Sequence, residues 1–505
     1  MTLFDTIFRS GYDERSRLRN WLETLKSEPP EMCARSLEGA LERMCRSGSS
    51  RRRLRVLEAL FPSLESVVAL ATQRLRGAPL PLSDDARQLL DSTNTLLKHA
   101  ARQYTRIAEE GGSKWSGVGY AQQRMQAILR ALACHASRLE LGYSVRYVGA
   151  TSAWRALHAL HRLGTSQSVK ATPELDALYL RTLAIALADP IRLDALELAI
   201  VRTCAYQATP RIRLLDVDTC PAAAELRRNC FLFHAGADAR PASLLRLDRY
   251  AKRSGDVVAD LASARDMVAM QLEALARGIA PATLGYPANV PADRTTKVLQ
   301  HVLRCWDGGF SRRFSRKVFF PRGDVVVGFS QVCAFLRDAA FRRRADDPVP
   351  ASAGAEVSEW SIANESADGF ALCYRRGSAI TPLEGELIGL RSAEHAELFV
   401  CVIRRIESTA SNGLEIGVRK IGAGARSVGV FKLDPQLGAS GAAVGVLVTQ
   451  APREPGAFVM IFPSGLAEVG TQFRIPVFGA KTVMVATAVT ERCRSGDVVT
   501  VRRVG

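Results

Sequence analysis

Trp360-Ser361-Ile362-Ala363-Asn364-Glu365-Ser366-Ala367-Asp368-Gly369-Phe370-Ala371-Leu372 decides how the C-terminal part of this chain is read. Aromatic and aliphatic residues flank a polar segment that ends on glycine, so the stretch reads as strand, tight turn, strand. Asn364, Ser366 and Gly369 stand at i, i+2 and i+5. Short polar side chains beside a glycine offer donors and acceptors where a ligand comes close to the backbone. On its own such a turn is common.

Working outward, the residues on both sides of it include β-prone runs. Val325–Val327, Phe370–Tyr374, Leu398–Ile403, Leu414–Val418 and Ser427–Phe431 are short runs separated by Gly, Asn, Ser and Pro. Their spacing predicts a small antiparallel barrel or sandwich. Within it, Gln331–Arg344 reads as a helix and Asp346–Gly354 as a loop. More short strands follow in a C-terminal β-rich module, 440–505: Val446–Val448, Phe458–Phe462, Phe473–Val477 and Val483–Val489.

Residues 1–290 read as helices. Leu18, Trp21, Leu22 and Leu25 recur at helical spacing, as do the apolar residues of Arg52–Leu75. Ser83-Asp84-Asp85 predicts an N-cap with acids in the first turn, and Thr172-Pro173-Glu174 a helix with Pro at its first position. Gly111-Gly112-Ser113 reads as a break before a long apolar-periodic segment, Tyr120–Leu163. Ile212–Val217 and Cys230–His234 read as strands, and Val257–Ala276 and Ala292–Trp306 as helices. The fold class expected is therefore α+β multidomain: a large helical region, then an antiparallel β-barrel over 308–432, then the β-rich module.

Immediately before the β-rich part lies Ser311-Arg312-Arg313-Phe314-Ser315-Arg316-Lys317. From 301 to 322 six cations stand against Asp307, a local net charge of +5. Gly308-Gly309 precedes the cluster and predicts a flexible linker. Arg312 and Arg316, four residues apart, would share a helix face or, in a loop, close on a ligand from two sides. Guanidinium groups bind phosphate through two parallel hydrogen bonds, pair with the O6/N7 edge of guanine and stack on base planes. A guanine-containing anion would use all three properties.

The order Arg-x-x-x-Arg, strand, then Asn-x-Ser-x-x-Gly between strands resembles the PilZ family, small β-barrels that bind the second messenger cyclic di-GMP. Arg312 and Arg316 match the family's first motif, and Asn364, Ser366 and Gly369 its second. The strand Leu398–Ile406 and Gly417-Val418 fit its looser pattern. The resemblance covers roughly 308–432, and the helical region is similar to the long N-terminal parts of some proteobacterial PilZ proteins. The segment between the motifs is longer than the family's usual one because of Phe329–Val357, and Arg313 is an alternative to Arg312. The resemblance implies a cyclic di-GMP receptor in which these arginines hold bases and phosphates and the turn completes the pocket. The flexible Gly308-Gly309 before the cluster leads us to expect a change of domain arrangement on binding, and the helical region is expected to dock a protein partner. The alternative is a nucleotide-independent scaffold of surface-appendage machinery.

Composition constrains the remaining classes. The net charge of +17 is compatible with an anionic partner, although the arginines are spread along the chain. Arg51-Arg52-Arg53-Leu54-Arg55 forms a basic group near a helix start, but no aromatic residues interleave with it, which argues against nucleic-acid binding. Eleven cysteines without C-x-x-C spacing suit a reducing compartment, and the first 15 residues lack an apolar signal core, so a cytoplasmic location is expected. No apolar run is long enough to span a bilayer. His158-x-x-His161 reads as polar positions on an amphipathic helix rather than a metal pair, and Cys134-His135 as a buried or half-buried pair rather than a catalytic dyad. No Walker A loop, G-x-S-x-G or dinucleotide fingerprint is present, so no enzyme, no catalytic residue, no metal site and no cofactor beyond the ligand cyclic di-GMP is expected.

Overall fold

The computed structural model describes residues 14–25, 27–44, 49–114, 118–146, 152–165, 173–217, 228–234, 236–238, 240–246, 256–308, 321–341, 355–377, 382–392, 398–408, 413–434, 438–450, 456–478 and 482–504. They form two compact units, Met1–Ser311 and Arg312–Gly505.

The first unit is built on α1 (Glu14–Leu25), α2 (Pro30–Met44), α3 (Ser50–Leu75), α4 (Asp84–Lys114), α5 (Val118–Ser144), α6 (Ser152–Thr165), α7 (Pro173–Leu187) and α8 (Ala195–Ala208). Ser83 caps α4 as its sequence predicts, its Oγ accepting from the Ala86 amide at 3.3 Å. The expected break at Gly111-Gly112 does not occur, because α4 continues through both glycines to Lys114. Each glycine costs a helix about 1 kcal/mol. Leu96, Leu97, Ala100, Tyr104, Ile107 and Ala108 bury one full face of α4, and that packing outweighs the cost. The Tyr120–Leu163 segment is likewise two helices, α5 and α6.

This unit also holds a four-stranded antiparallel sheet. Its strands are β1 (Arg213–Asp216), β2 (Cys230–His234), β3 (Ala242–Ser243) and β4 (Asp256–Asp260), in the order β1-β4-β2-β3. The first part of the segment read as helix over Val257–Ala276 is thus the strand β4, and helix α9 begins only at Ala262. β4 is central in the sheet, and its successive residues Val258 and Ala259 are both buried, in separate clusters, so it shows no alternation to betray it. Helix α10 (Ala292–Trp306) completes the unit and buries Val298, Leu299, Val302 and Trp306.

Among its described residues the second unit is an eleven-stranded antiparallel sheet with one α-helix. Its strands are β5 (Arg322–Val327), β6 (Ser358–Ser366), β7 (Gly369–Gly377), β8 (Leu387–Ser392), β9 (Leu398–Ser408), β10 (Leu414–Asp434), β11 (Gly438–Gln450), β12 (Ala457–Phe462), β13 (Gln472–Arg474), β14 (Val483–Arg492) and β15 (Asp497–Arg503). The two runs read at Leu414–Val418 and Ser427–Phe431 are one strand, β10. Register shifts after Gly417, Lys420 and Phe431 bend it. Its first half pairs with β7 on one side and β9 on the other, so the pairings run β10–β7–β6–β5–β8–β9 and return to β10. Its second half pairs with β11 and β13, giving a second circuit through β12, β15 and β14.

Helix α11 (Phe329–Phe341) occupies the segment between the two motifs. It packs chiefly on β8, β10, β5 and β11. Phe329, Val332, Phe335 and Leu336 join one cluster with Val326, Val400, Val448, Ile461 and Val498, drawn from strands of both circuits.

Candidate functional site

β6 and β7 are joined by the two residues Ala367-Asp368, so the quoted stretch is a tight hairpin. Trp360 and Ile362 are fully buried. Ala363 has no partner on β7: Ile362 faces Leu372 and Asn364 already faces Ala371. That one-residue bulge reverses the alternation, so Asn364 and Ser366 leave the face to which Ile362 belongs. They share the outer face with Gly369, which lies opposite Ser366. The three motif residues are therefore brought together on one surface. The Asn364 amide has no hydrogen-bond partner among the described residues, while the Ser366 hydroxyl donates to the Gly369 carbonyl at 3.2 Å.

Glycine is required at 369 by a close approach. A Cβ there would lie against the Val418 carbonyl oxygen, 3.1 Å from its carbon and 3.3 Å from the Arg419 Cα. These are backbone atoms of β10, which cannot rotate aside.

On the inner face Glu365 opposes Phe370. Lys420 Nζ donates to Glu365 Oε1 at 2.6 Å and to the Ser366 carbonyl at 3.2 Å, and its amide donates to the Asp368 carbonyl at 2.8 Å. The ammonium also sits 4.2 Å from the Phe370 ring centre and 5.2 Å from that of Phe399. The hairpin tip is thereby pinned to β10 by main chain and side chain. Arg419 lies directly across from Gly369 on the outer face and pairs with Glu491. Neither Lys420 nor Arg419 was singled out from sequence. The available signal was a pair of adjacent cations inside an otherwise apolar β-run, Ile416–Ile421.

Arg312, Arg313 and Arg316 fall outside the described residues, as does the loop read at Asp346–Gly354. Helix α11, most of the described part of the lengthened segment, packs chiefly on strands other than the β6–β7 hairpin.

The other candidates have structural partners. His158 and His161 are buried rather than polar surface positions: Nδ1 of His158 is 2.8 Å from the Tyr179 hydroxyl, and Nε2 of His161 is 2.8 Å from Asp176. Their rings stack on Phe233 and Tyr179, which is why a helix face can bury them. Within the basic group, Arg53 is buried and paired with Glu110, and Arg51 lies over the Tyr120 ring at 4.3 Å. Both therefore serve helix packing. Glu38, Glu42 and His99 bring three potential metal-ligand atoms together, with His99 Nδ1 3.0 Å from Glu38 and 3.9 Å from Glu42. The 3.0 Å approach also fits a simple His–Glu pair.

Nine cysteines among the described residues are free thiols. Burial pushes Cys134, Cys204 and Cys401 up to about 12, so they are not held as thiolates. Among the described residues no helix is long and apolar enough to cross a membrane.

Residues 15–219 match the family described as the N-terminal domain of the cyclic-di-GMP receptor FimW. That match lies wholly within the helical unit, away from both motifs. No curated protein matches the chain.

Proposed function

We propose that this protein is a cyclic di-GMP receptor whose ligand site is the outer face of the β6–β7 hairpin. The observation that carries the reading is the match of residues 15–219 to a cyclic di-GMP receptor's N-terminal domain, because it is independent of the two motifs. Asn364, Ser366 and Gly369 lie on one face, with the Asn364 amide open, which supports their role as the hairpin half of the pocket. Arg312 and Arg316, with Arg313 as the alternative to Arg312, supply the guanidinium half from the linker. We read the circuit β10–β7–β6–β5–β8–β9 as a closed barrel of the PilZ kind.

Ligand capture orders the linker after Gly308 and changes the arrangement of the two units. The helical unit then engages a protein partner, and the receptor acts in the cytoplasm without catalysis, cofactor or metal. Calorimetry with cyclic di-GMP on the full chain, Arg316→Ala and Ser366→Ala tests the site. Saturable binding that weakens in both variants is the expected result. No heat and no thermal shift with the parent would refute it and favour the nucleotide-independent scaffold. Solution scattering with and without ligand tests the rearrangement, and identical curves would remove it.

A further inference from the structure

Between α4 and α5 the helical unit has an open cavity of about 310 Å³. Lys98, Arg102 and Arg106 form its first wall, and His135 and Arg138 its second. The first three recur every fourth residue, so they make a single row along α4 about 12 Å long. Glu109 is the only acid in the lining, against four permanent cations. Arg106 is held by Glu110 at 2.8 Å. Lys98 and Arg102 are exposed and form no ion pair among the described residues.

Arg138 is the unusual member. It is only 6% exposed, and no carboxylate among the described residues lies within ion-pair distance of it. Its Nε is buried with no hydrogen-bond partner among the described residues, and one terminal nitrogen lies 3.1 Å from His135 Nδ1. To accept from a guanidinium, that ring nitrogen must carry a lone pair, so His135 is neutral and cannot serve as a counter-charge. Burial, with Arg138 beside it, pushes His135 down to about 4, in agreement with a neutral ring. A guanidinium removed from water is destabilising when its counter-charge, here Asp238, acts only from beyond ion-pair distance, and an unpartnered Nε is one tooth of the fork that grips an oxyanion.

We propose that this cavity binds a small phosphate-bearing anion, with Arg138 as its recessed anchor and Lys98 and Arg102 as its outer clamp. Phosphate chemistry fits better than a single carboxylate, because the lining carries a net charge of +3 and three of its cations form no ion pair among the described residues. A small molecule fits better than a duplex or a flat protein surface, because the anchor is a nearly buried residue in the lining of a concavity of small-ligand size. The site is separate from the β6–β7 hairpin and does not depend on the reading of that hairpin.

Calorimetry of the full chain with pyrophosphate, ADP and cyclic di-GMP tests it. Saturable binding of pyrophosphate or ADP is expected, weakened about tenfold or more by Arg102→Gln and by Lys98→Gln and unchanged by Ser366→Ala. Both substituted residues are exposed, so the variants fold; Arg138→Lys, which keeps the charge but loses the fork, is a second check. Binding of ADP without pyrophosphate assigns the organic part of the ligand and still supports the site. Cyclic di-GMP binding that falls in Arg102→Gln but not in Ser366→Ala supports the cavity and refutes the hairpin site. Absence of saturable binding of all three, or binding that Arg102→Gln and Lys98→Gln leave within about twofold, overturns the proposal.

Discussion

Gly369→Ala tests the backbone contact on which the hairpin surface rests. The added methyl would lie against the Val418 carbonyl oxygen, far inside the 3.0 Å that Cβ atoms keep from other heavy atoms. Relief requires β7 and β10 to separate by about 1 Å, since close-packed main chain has no rotamer to change. The separation falls on the pairs Val418–Phe370 and Arg419–Gly369 and on the 2.8 Å bond from the Lys420 amide to Asp368. Weakening two such hydrogen bonds, at about 0.5 kcal/mol each, and overpacking, at about 1–3 kcal/mol, together predict a loss of about 2–4 kcal/mol. For a unit of this size that lowers its melting temperature by about 5–15 °C. Gly429→Ala in the same strand is the control, because nothing lies within 4 Å of its Cβ position. It should change stability by less than about 0.5 kcal/mol. Scanning calorimetry of the full chain gives the melting temperature, and hydrogen exchange localises the change to amides of β7 and β10. If Gly369→Ala melts with Gly429→Ala and its β7 amides exchange as in the parent, the close approach is refuted.

Lys420→Met should destabilise the hairpin by about 1–3 kcal/mol, because Glu365 loses its ammonium partner while half-buried; urea unfolding with and without Glu365→Gln measures the coupling. The helical unit should lose stability as pH falls from 6.5 towards 4. Burial, and then Arg138, hold His135 at about 4 when folded, so the unfolded chain takes up the proton first and the stabilisation, complete above 6.5, is lost on acidification. The full effect is at most about 3 kcal/mol, and a melting curve series in which His135→Gln keeps the parent's slope would refute it. Glu58→Ala should cost about 3–5 kcal/mol, because the Tyr104 hydroxyl, Gln126 and Arg130 all lose one carboxylate that joins α3, α4 and α5; chemical denaturation reads it.

The hairpin and most helices were legible because their signals are local. Ser83 before two acids, Pro173 at a helix start and Asn364–Gly369 between apolar runs each state a backbone conformation within a few residues. Three features were not. The continuation of α4 through Gly111-Gly112 depends on burial by other helices. The strand nature of Val257–Asp260 depends on neighbours at both edges, from residues 213–216 and 230–234. The unity of β10 depends on partners up to 50 residues away. The Ala363 bulge is the instructive case. Asn364 and Ser366 share Ile362's parity, so strict alternation would turn them inward, and only the unpaired Ala363 sets them outward with Gly369. The cavity on α4 was hidden for the opposite reason. Lys98, Arg102 and Arg106 read as a solvated helix face until Arg138, thirty-odd residues on, supplies the buried wall.

The segments read as 308–432 and 440–505 are energetically joined through β10. Its first half pins the hairpin through Lys420 and the Gly369 approach, and its second half opens the circuit of β11–β15. Glu491 of β14 binds Arg419 beside the hairpin and also Arg404 of β9, so the C-terminal strands hold charges on the hairpin's own side. The cluster under α11 draws Val448, Ile461 and Val498 from those same strands. Side chains that share one core and one carboxylate do not relax independently. The C-terminal strands therefore brace the sheet that presents Asn364, Ser366 and Gly369, and a substitution that loosens β14 or β15 should be felt at the hairpin although it touches none of those three residues.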